Sequence, residues 1–341
     1  MSERDHNRRD FLQTTLAGAA ALGLTAAGGA AEGGGTGLPQ RPLGKTGVEV
    51  PILCLGGWHI GSVKPEAEAV KIMHAAIDEG LTFFDNAWDY HDGGSEEVMG
   101  KALAQGGYRK KVFLMTKNCG RDRKTVQQHL EDSLKRLQTD VIDLMQFHEI
   151  NYDNDPDWVV EKGGLAEALK AQREGKVRFL GFTGHKDPRI HLRMLGKHQW
   201  DTVQMPINVC DYFYRSFQRQ VVPEAIKRGA APLGMKSLGG GQPGRLVAAG
   251  VCSAEEAIRY ALSQDIASLV TGIDSMEVLK QNLAIARRFK PLEATELQKL
   301  LERVRPFAGD GRHERFKSTQ FFDAPYHQAQ HGLTRQEVEG T

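Results

Sequence analysis

Residues 112–148 read VFLMTKNCGRDRKTVQQHLEDSLKRLQTDVIDLMQFH, and this stretch contains one complete strand–helix–strand unit. The runs Val112–Lys117 and Val141–His148 are short, apolar and continuous, which is typical of buried parallel strands. Between them, valine and leucine recur at helical spacing over residues 126–137 and predict an amphipathic helix. Such a unit is the element from which parallel α/β folds are built.

The same unit repeats along the chain. Eight apolar runs are predicted as strands, namely Ile52–Gly57, Thr82–Ala87, Val112–Lys117, Val141–His148, Val177–Gly184, Thr202–Asn208, Ala231–Lys236 and Ala267–Ile273. Eight strand–helix units predict one closed α/β fold, the (β/α)8 or TIM barrel. A doubly wound sheet is the alternative, because strand–helix alternation alone does not establish closure. Before the first strand, the sequence Gly-Lys-Thr-Gly at residues 44–47 predicts a β-hairpin that caps the barrel floor.

These patterns divide the chain into four parts. Residues 41–304 are assigned to the barrel, and residues 32–40 to a linker. Residues 305–341 are polar and weakly patterned, and they are interpreted as a C-terminal loop or tail. Residues 1–31 have the character of a targeting segment.

The targeting segment contains two adjacent arginines, Arg8 and Arg9, followed by an uncharged run over residues 11–31. A charged start, a mildly apolar run and small residues beyond it describe a twin-arginine-type export signal. We therefore expect an exported, periplasmic or otherwise extracytoplasmic protein that uses the twin-arginine export machinery. We expect no membrane span to remain after processing. A flexible tail and a retained anchor are the alternatives.

Composition excludes several classes of protein. The 341 residues include 44 Lys and Arg against 43 Asp and Glu, a net charge of +1, which argues against a nucleic-acid-binding protein. Hydrophobic residues make up 40% and charged residues 26%, as in an ordinary globular protein. The four cysteines show no CxxC spacing and the twelve histidines no HExxH pattern, so no metal site is predicted. Cys119 is interpreted as structural.

Ionisable residues end three of the predicted strands. Asp85, Lys117 and His148 occupy these ends, and Tyr90 follows the first of them closely. Because strand ends converge at one face of a barrel, these four side chains are predicted to form one cluster. The Lys117 ammonium, kept charged by Asp85, is expected to lower the pKa of Tyr90. His148 is expected to hydrogen-bond a carbonyl oxygen. The cluster can polarise a C=O group, but the electrons must come from elsewhere.

Several motifs resemble the aldo-keto reductase family over residues 41–290. They are LGKTG at 43–47, LGG at 55–57, FDNA at 84–87 with Tyr90, SEE at 95–97, GKAL at 100–103, TK at 116–117, SLKRL at 133–137, DVIDL at 140–144 and His148. The resemblance implies a barrel that binds NADP(H) or NAD(H) without a Rossmann domain. It also implies an NAD(P)-dependent oxidoreductase that transfers hydride to a small aldehyde or ketone, with Tyr90 as proton donor.

The resemblance also implies a set of cofactor residues. They are Gly57, Thr183, His185, Gln204, Met235, Lys236, Leu238, Gly239, Gly241, Gly272, Ser275, Gln281 and Asn282. Thr-Gly-His at 183–185 replaces the family's Ser-Asn pair, and Met235 replaces an aromatic residue. The Lys and Arg that hold a 2′-phosphate are missing, while Asp274 and Glu277 lie close by. We therefore expect weak discrimination for NADPH over NADH.

The expected substrate wall is aromatic and consists of Trp58, Trp88 and His91. Two alternative functions remain open. One is a cofactor-binding regulatory or sensor protein of the same fold with little turnover. The other is a Schiff-base aldolase that uses Lys117, although a paired, charged lysine argues against it.

Overall fold

A closed parallel barrel forms the core of the protein, seen here in a computed structural model that describes residues 37–241 and 244–339. Within these residues the strands are β1 (Gln40–Pro42), β2 (Glu49–Pro51), β3 (Leu53–Gly56), β4 (Phe83–Asp85), β5 (Phe113–Asn118), β6 (Ile142–Phe147), β7 (Val177–Thr183), β8 (Thr202–Pro206), β9 (Ala231–Met235) and β10 (Ser268–Gly272). Strands β3 to β10 pair in sequence order, and β10 pairs with β3 in parallel. This closure confirms the predicted (β/α)8 barrel and excludes the doubly wound sheet.

Helices surround the barrel. Within the described residues they are α1 (Gly57–Ser62), α2 (Glu66–Asp78), α3 (Gly94–Leu103), α4 (Arg123–Arg136), α5 (Asp155–Glu161), α6 (Gly164–Arg173), α7 (Pro188–Leu195), α8 (Phe217–Arg228), α9 (Arg245–Ala248), α10 (Ala254–Leu262), α11 (Met276–Arg287), α12 (Ala294–Val304), α13 (Arg315–Ser318), α14 (Pro325–Gln330) and α15 (Arg335–Glu339). The α4 helix shows why they form. Asp122 caps its first turn by accepting a hydrogen bond from Thr125 N, and Val126 and Leu130 are buried.

The hairpin of β1 and β2 closes the floor of the barrel, as predicted. Leu43 and Val50 from the hairpin are fully buried and pack with residues that fill the barrel interior, such as Phe83. Arg41 donates hydrogen bonds of 2.7 and 2.8 Å to the carbonyls of Ile266 and Leu262. The opposite end of the barrel, where the strands finish, is therefore the end left open for a site.

The C-terminal segment, residues 305–339, differs from the predicted loop or tail. It forms three short α-helices, α13 to α15, and packs against loops that follow barrel strands. Lys317, although charged, is fully buried and donates 2.6 and 2.9 Å hydrogen bonds to Asp211 Oδ1 and Tyr214 O. The prediction was wrong because polar composition indicated exposure, whereas these charges have buried partners.

Two predictions lie partly or wholly outside the described residues. The export signal at residues 1–31 is one, and the start of the linker at residues 32–36 is the other. In the described part of the chain, no helix has the length and apolar character needed to cross a membrane.

Candidate active site

Three neighbouring strand ends bring the predicted ionisable residues together. Lys117 Nζ lies 2.5 Å from Asp85 Oδ1, 2.8 Å from Asn86 O and 3.2 Å from Tyr90 Oη. The side chains of Lys117 and Asp85 are 1% and 3% exposed, so this ion pair is shielded from solvent. His148 follows β6, and its ring centroid lies 5.5 Å from that of Tyr90. The predicted cluster of Asp85, Tyr90, Lys117 and His148 is therefore one site in the structure.

Tyr90 is positioned by a tight turn rather than by a strand. It begins a 3-10 turn, Tyr90–Gly93, in which His91 and Asp92 adopt left-handed φ angles of 53° and 54°. Left-handed backbone is strained for residues other than glycine. The strain is offset by packing: His91 stacks on Trp58 at 4.5 Å and bonds to the carbonyl of Trp58 at 2.7 Å.

The pKa of Tyr90 differs from the sequence-based expectation. Burial raises it well above its usual value, and the carboxylates of Asp85, Asp89 and Glu149 raise it further. The expected lowering by Lys117 is therefore outweighed in the protein alone. Tyr90 carries its proton at neutral pH, which is the form that a proton donor needs.

Lys117 is engaged by three acceptors, and this bears on the aldolase alternative. A lysine that forms a Schiff base must offer a free amine to a carbonyl. Here Nζ donates to Asp85, Asn86 and Tyr90, so all three donor positions of the side chain are engaged. The geometry therefore disfavours the Schiff-base function.

His148 is held by a carboxylate that the sequence analysis missed. Its Nδ1 lies 2.8 Å from Asp89 Oδ1, and His148 lowers the pKa of Asp89 to about 2 against the opposing effect of burial. Because an ionised carboxylate only accepts hydrogen bonds, Nδ1 carries a proton. Burial lowers the pKa of His148, and Asp89 partly opposes this. The ring is therefore neutral and directs Nε2, without a proton, away from Asp89.

A large cavity opens above these residues. Its volume is about 1280 Å³, above the 300–1,000 Å³ typical of sites for drug-sized ligands. Asp85, Tyr90, Lys117 and His148 all line it. The predicted wall residues Trp58, Trp88 and His91 line it as well. Tyr326 from the C-terminal segment adds a further ring, 5.3 Å from Trp88.

Most predicted cofactor residues line the same cavity. They are Thr183, His185, Gln204, Met235, Lys236, Leu238, Gly241, Gly272, Gln281 and Asn282. Three others are not among its lining residues. Gly57 approaches Asp85 O so closely that a Cβ would lie 2.6 Å from it, and a Cβ on Gly239 would lie 2.8 Å from Leu246. Ser275 instead caps α11 by accepting a hydrogen bond from Val278 N.

One end of the cavity fits a nicotinamide. Gln204 is 1% exposed, and its Oε1 has no hydrogen-bond partner among the described residues. A buried acceptor without a partner is costly unless a ligand supplies a donor. The amide group of a nicotinamide is such a donor, and Thr183 and the Met235 sulfur lie beside Gln204. The described residues therefore fit the cofactor that the resemblance implies.

The other end of the cavity is less suited to a 2′-phosphate. Asp274, Val278, Gln281 and Asn282 line it. Arg287 points elsewhere, since its guanidinium donates to the Glu79 carboxylate at 2.6 Å. Lys280 is exposed and does not line the cavity. A doubly charged phosphate at this end would therefore lie beside the Asp274 carboxylate, and neither Lys280 nor Arg287 lines the cavity to pair with it.

Besides Asp89, three further parts of the site were not predicted from the sequence. Glu149 lines the cavity and its Oε1 lies 3.4 Å from His185 Nε2. Phe322–Tyr326, from the C-terminal segment, lines the cavity over 170 residues downstream of Glu149. His327 lies beside Cys119 and His148, far from both in sequence. Of these, only Glu149 had a local signal, because it directly follows a predicted strand end.

The sequence profile of the Aldo/keto reductase family matches residues 52–242, which is more than half of the chain. The chain is 40% identical over 159 residues to the uncharacterized oxidoreductase YrpG of Bacillus subtilis (strain 168), covering 41% of this chain and 47% of that protein. It is 32% identical over 198 residues to the aldo-keto reductase YhdN of the same strain, covering 54% and 57%. The alignments thus span about half the length of these curated relatives.

A solved structure gives a similar result over more of the chain. A putative aldo-keto reductase from Pseudomonas aeruginosa superposes with a TM-score of 0.61 at 26% identity. The match covers 73% of this chain and 94% of that one. The shared barrel therefore extends well beyond the segments that align in sequence to the two curated relatives.

Proposed function

Because the chain belongs to the aldo/keto reductase family, we propose that it is an NAD(P)H-dependent oxidoreductase that reduces an aldehyde or ketone. The observation that carries this proposal is the chain of contacts from Asp85 through Lys117 to Tyr90 at the base of a large cavity. A protonated phenol backed by a buried ammonium can give a proton to a carbonyl oxygen, and the ammonium stabilises the phenolate that remains.

The reaction divides between the protein and the cofactor. When bound, the reduced nicotinamide supplies the hydride that the carbonyl carbon accepts. Tyr90 Oη gives its proton to the carbonyl oxygen, so that a C=O group becomes an alcohol and the phenol becomes a phenolate. Lys117, 3.2 Å from Oη, stabilises the new negative charge, and Asp85 holds the ammonium in place.

His148 has a positioning role in this proposal. With Nδ1–H bound to Asp89, the neutral ring offers the Nε2 lone pair to a hydroxyl group in the cavity. It therefore suits an alcohol hydroxyl directly, whereas donation to a carbonyl oxygen requires a second ring proton. The substrate oxygen would lie between Tyr90 and His148, with Trp58 and Trp88 as the apolar wall.

The cofactor would extend along the second half of the barrel. Thr183 and Gln204 would hold its carboxamide, and the backbone at Gly240 and Gly241 would approach its pyrophosphate. Both glycines have left-handed φ angles, 68° and 78°, which side chains rarely adopt. Gln281 and Asn282 would hold its adenine. The acid at Asp274 supports weak discrimination between NADPH and NADH.

A turnover assay tests the proposal. Purified protein would be given NADPH or NADH with a panel of aldehydes, ketones and quinones, and the loss of reduced cofactor would be followed by absorbance. Tyr90→Phe keeps the ring but removes the proton, so we expect a loss of about 10²- to 10⁴-fold in kcat with unchanged cofactor affinity. Cofactor binding without turnover on any substrate would instead favour a sensor or regulatory protein. An NADPH affinity more than about tenfold better than that for NADH would contradict weak discrimination.

Export is a separate proposal that rests on Arg8 and Arg9 and the uncharged run after them. Residues 1–36 fused to a reporter that is active only outside the cytoplasm would measure it. We expect export that is abolished by the double substitution Arg8→Lys and Arg9→Lys, which keeps the charge. Equal export by both fusions would contradict a twin-arginine signal.

A further inference from the structure

Three side chains of types that can bind a metal ion converge beside the cavity. Two of them, Cys119 and His327, have no role in the proposed carbonyl reduction. Cys119 follows β5, His148 follows β6 and His327 lies on α14. One ligand atom from each lies within 4.8 Å of the others, and all three residues are buried. Cys119 and His327 do not line the cavity. A thiol and two imidazoles in one buried cluster are the ligand set that zinc prefers.

We propose that Cys119, His148 and His327, with Asp89 as a fourth ligand, form a zinc-binding site beside the active site. Zinc bond lengths of about 2.0–2.3 Å require tetrahedral ligand atoms about 3.3–3.8 Å apart. Cys119 Sγ lies 3.7 Å from His148 Nδ1 and 3.4 Å from Asp89 Oδ1. These two separations already match. His148 Nδ1 and Asp89 Oδ1 are 2.8 Å apart, so their hydrogen bond has to open by about 0.5 Å to admit the ion, and His327 has to move closer to the other ligands.

His327 carries the second observation that points to a ligand. It is fully buried, yet neither ring nitrogen has a hydrogen bond of good geometry among the described residues. Its Nδ1 lies 2.8 Å from Glu149 Oε2, whereas Nε2 has neither a hydrogen bond nor an ion pair within the part of the chain that the structure describes. A carboxylate on one imidazole nitrogen and a metal on the other is the usual second-shell arrangement in zinc proteins.

The charge around the cluster favours a dication. Asp89 and Glu149 contribute two carboxylates. The nearby cation Arg121 is paired with Asp155 at 2.8 Å, and its other donors bind the carbonyls of Cys119, His148 and Glu149. Binding of one zinc ion would release the thiol proton of Cys119 and the proton that His148 shares with Asp89. No electrons are transferred.

An ion here would connect distant parts of the chain. His327 belongs to the C-terminal segment, whereas the other ligands belong to loops of the barrel. Zinc would therefore fasten the C-terminal segment, which lines the cavity with Phe322–Tyr326, onto the barrel. Asp89 and His148 line the cavity themselves, so the cavity provides the path by which the ion enters.

Metal binding to the full, untagged chain tests the proposal. After removal of bound metal with a chelator, the protein would be titrated with zinc chloride by calorimetry and with cobalt chloride by absorbance. We expect one ion per chain, a thiolate-to-cobalt charge-transfer band and the intense visible bands of a four-coordinate site. Zinc is also expected to raise the unfolding temperature.

Matched variants locate the site. Cys119→Ser should remove the charge-transfer band and weaken zinc binding at least tenfold, and His327→Gln should weaken it to a similar degree. Cys252→Ser makes the same thiol-to-hydroxyl change in a different buried cluster and should bind zinc as the wild type does. Equal zinc affinity in all three variants would overturn the proposal. Circular dichroism would check that each variant folds.

If a variant fails to fold, cobalt binding to the wild-type protein still tests the proposed zinc site. A charge-transfer band in wild-type protein requires a thiolate ligand, and its absence at one equivalent of cobalt overturns the proposal. These measurements use no substrate and no nicotinamide cofactor. Failure of the zinc site and failure of the proposed reductase activity are therefore distinguishable.

Discussion

The two halves of the barrel rim are built in different ways. At the ends of β4, β5 and β6, Lys117 donates to three acceptors and His148 is bound to Asp89, so the ionisable groups have partners. At the ends of β7 to β10, Gln204 Oε1 is a buried acceptor without a partner in the described residues. The first half holds its ionisable groups in fixed contacts, as the proposed proton transfer requires, whereas the second half leaves a buried acceptor for the proposed cofactor to satisfy.

The difference predicts which substitutions affect chemistry and which affect binding. Lys117→Met removes the ammonium beside Tyr90, and we expect kcat to fall about 10³-fold with little change in cofactor affinity. It also leaves the buried carboxyl of Asp85 unpaired, at a cost of about 3–5 kcal/mol in the free energy of unfolding. Steady-state kinetics and chemical denaturation measure the two effects.

The double variant Asp85→Asn with Lys117→Met separates these effects. It removes both charges, so most of the stability should return while kcat remains low. A double variant with restored activity would show that the pair acts only on folding, and the proposed chemistry of the first half would be wrong.

The Asp89→Leu variant tests how much the carboxylate that holds His148 contributes to kcat. Without the carboxylate, the imidazole loses its fixed tautomer and orientation, and we expect kcat to fall about 10²-fold. Asp89→Asn keeps the size and an acceptor oxygen and should recover part of the loss. Kinetics in metal-free protein measure this, and equal activity of the leucine variant and the wild type would contradict the role.

In the second half, Asp274→Arg should change binding without changing chemistry. An arginine at this end of the cavity can pair with a 2′-phosphate, so we expect NADPH affinity to rise about tenfold while NADH affinity and kcat stay similar. Glu277→Arg is the matched control, because it makes the same charge change at an exposed residue that does not line the cavity. Fluorescence titration with both cofactors measures the outcome; a similar gain in the control would show a general charge effect.

The smallest expected effect concerns the anchor of the C-terminal segment. Burial raises the pKa of Glu314 to about 7, although Lys317 opposes this. The folded state then keeps a proton that the unfolded state has released above about pH 4.5, so the stabilising contribution of this proton declines as pH rises toward 7. Glu314→Gln should therefore be more stable than the wild type by about 1 kcal/mol at pH 8, with less gain at pH 5. Denaturation at both pH values tests this, and a gain that does not depend on pH would contradict it.

The comparison also explains what the sequence could predict. Asp85, Lys117 and His148 were predictable because each ends an apolar strand, where an ionisable residue is conspicuous. Asp89 was missed because it lies in a turn whose backbone has no simple sequence pattern. The sequence predicted a lowered pKa for Tyr90, whereas the pKa is raised. The cause is similar, because its burial and the carboxylates of Asp89 and Glu149 could not be located from spacing.

Residues brought from far along the chain were the least predictable. Phe322–Tyr326 and His327 reach the site only because the C-terminal segment folds back over the barrel. Nothing in their local sequence marks them, as their polar neighbours read as an exposed tail. The buried contact of Lys317 with Asp211, which fixes that segment, joins two charges whose pairing requires the tertiary fold.

The position of the cavity wall in the chain has a consequence for synthesis. The last barrel strand ends at Gly272, so the barrel can close on the ribosome before Phe322–Tyr326 has been translated. A nascent chain would therefore pass through a stage with a complete barrel and an open-sided pocket. Completion of the pocket wall is therefore a late event, coupled to release of the finished polypeptide rather than to formation of its core.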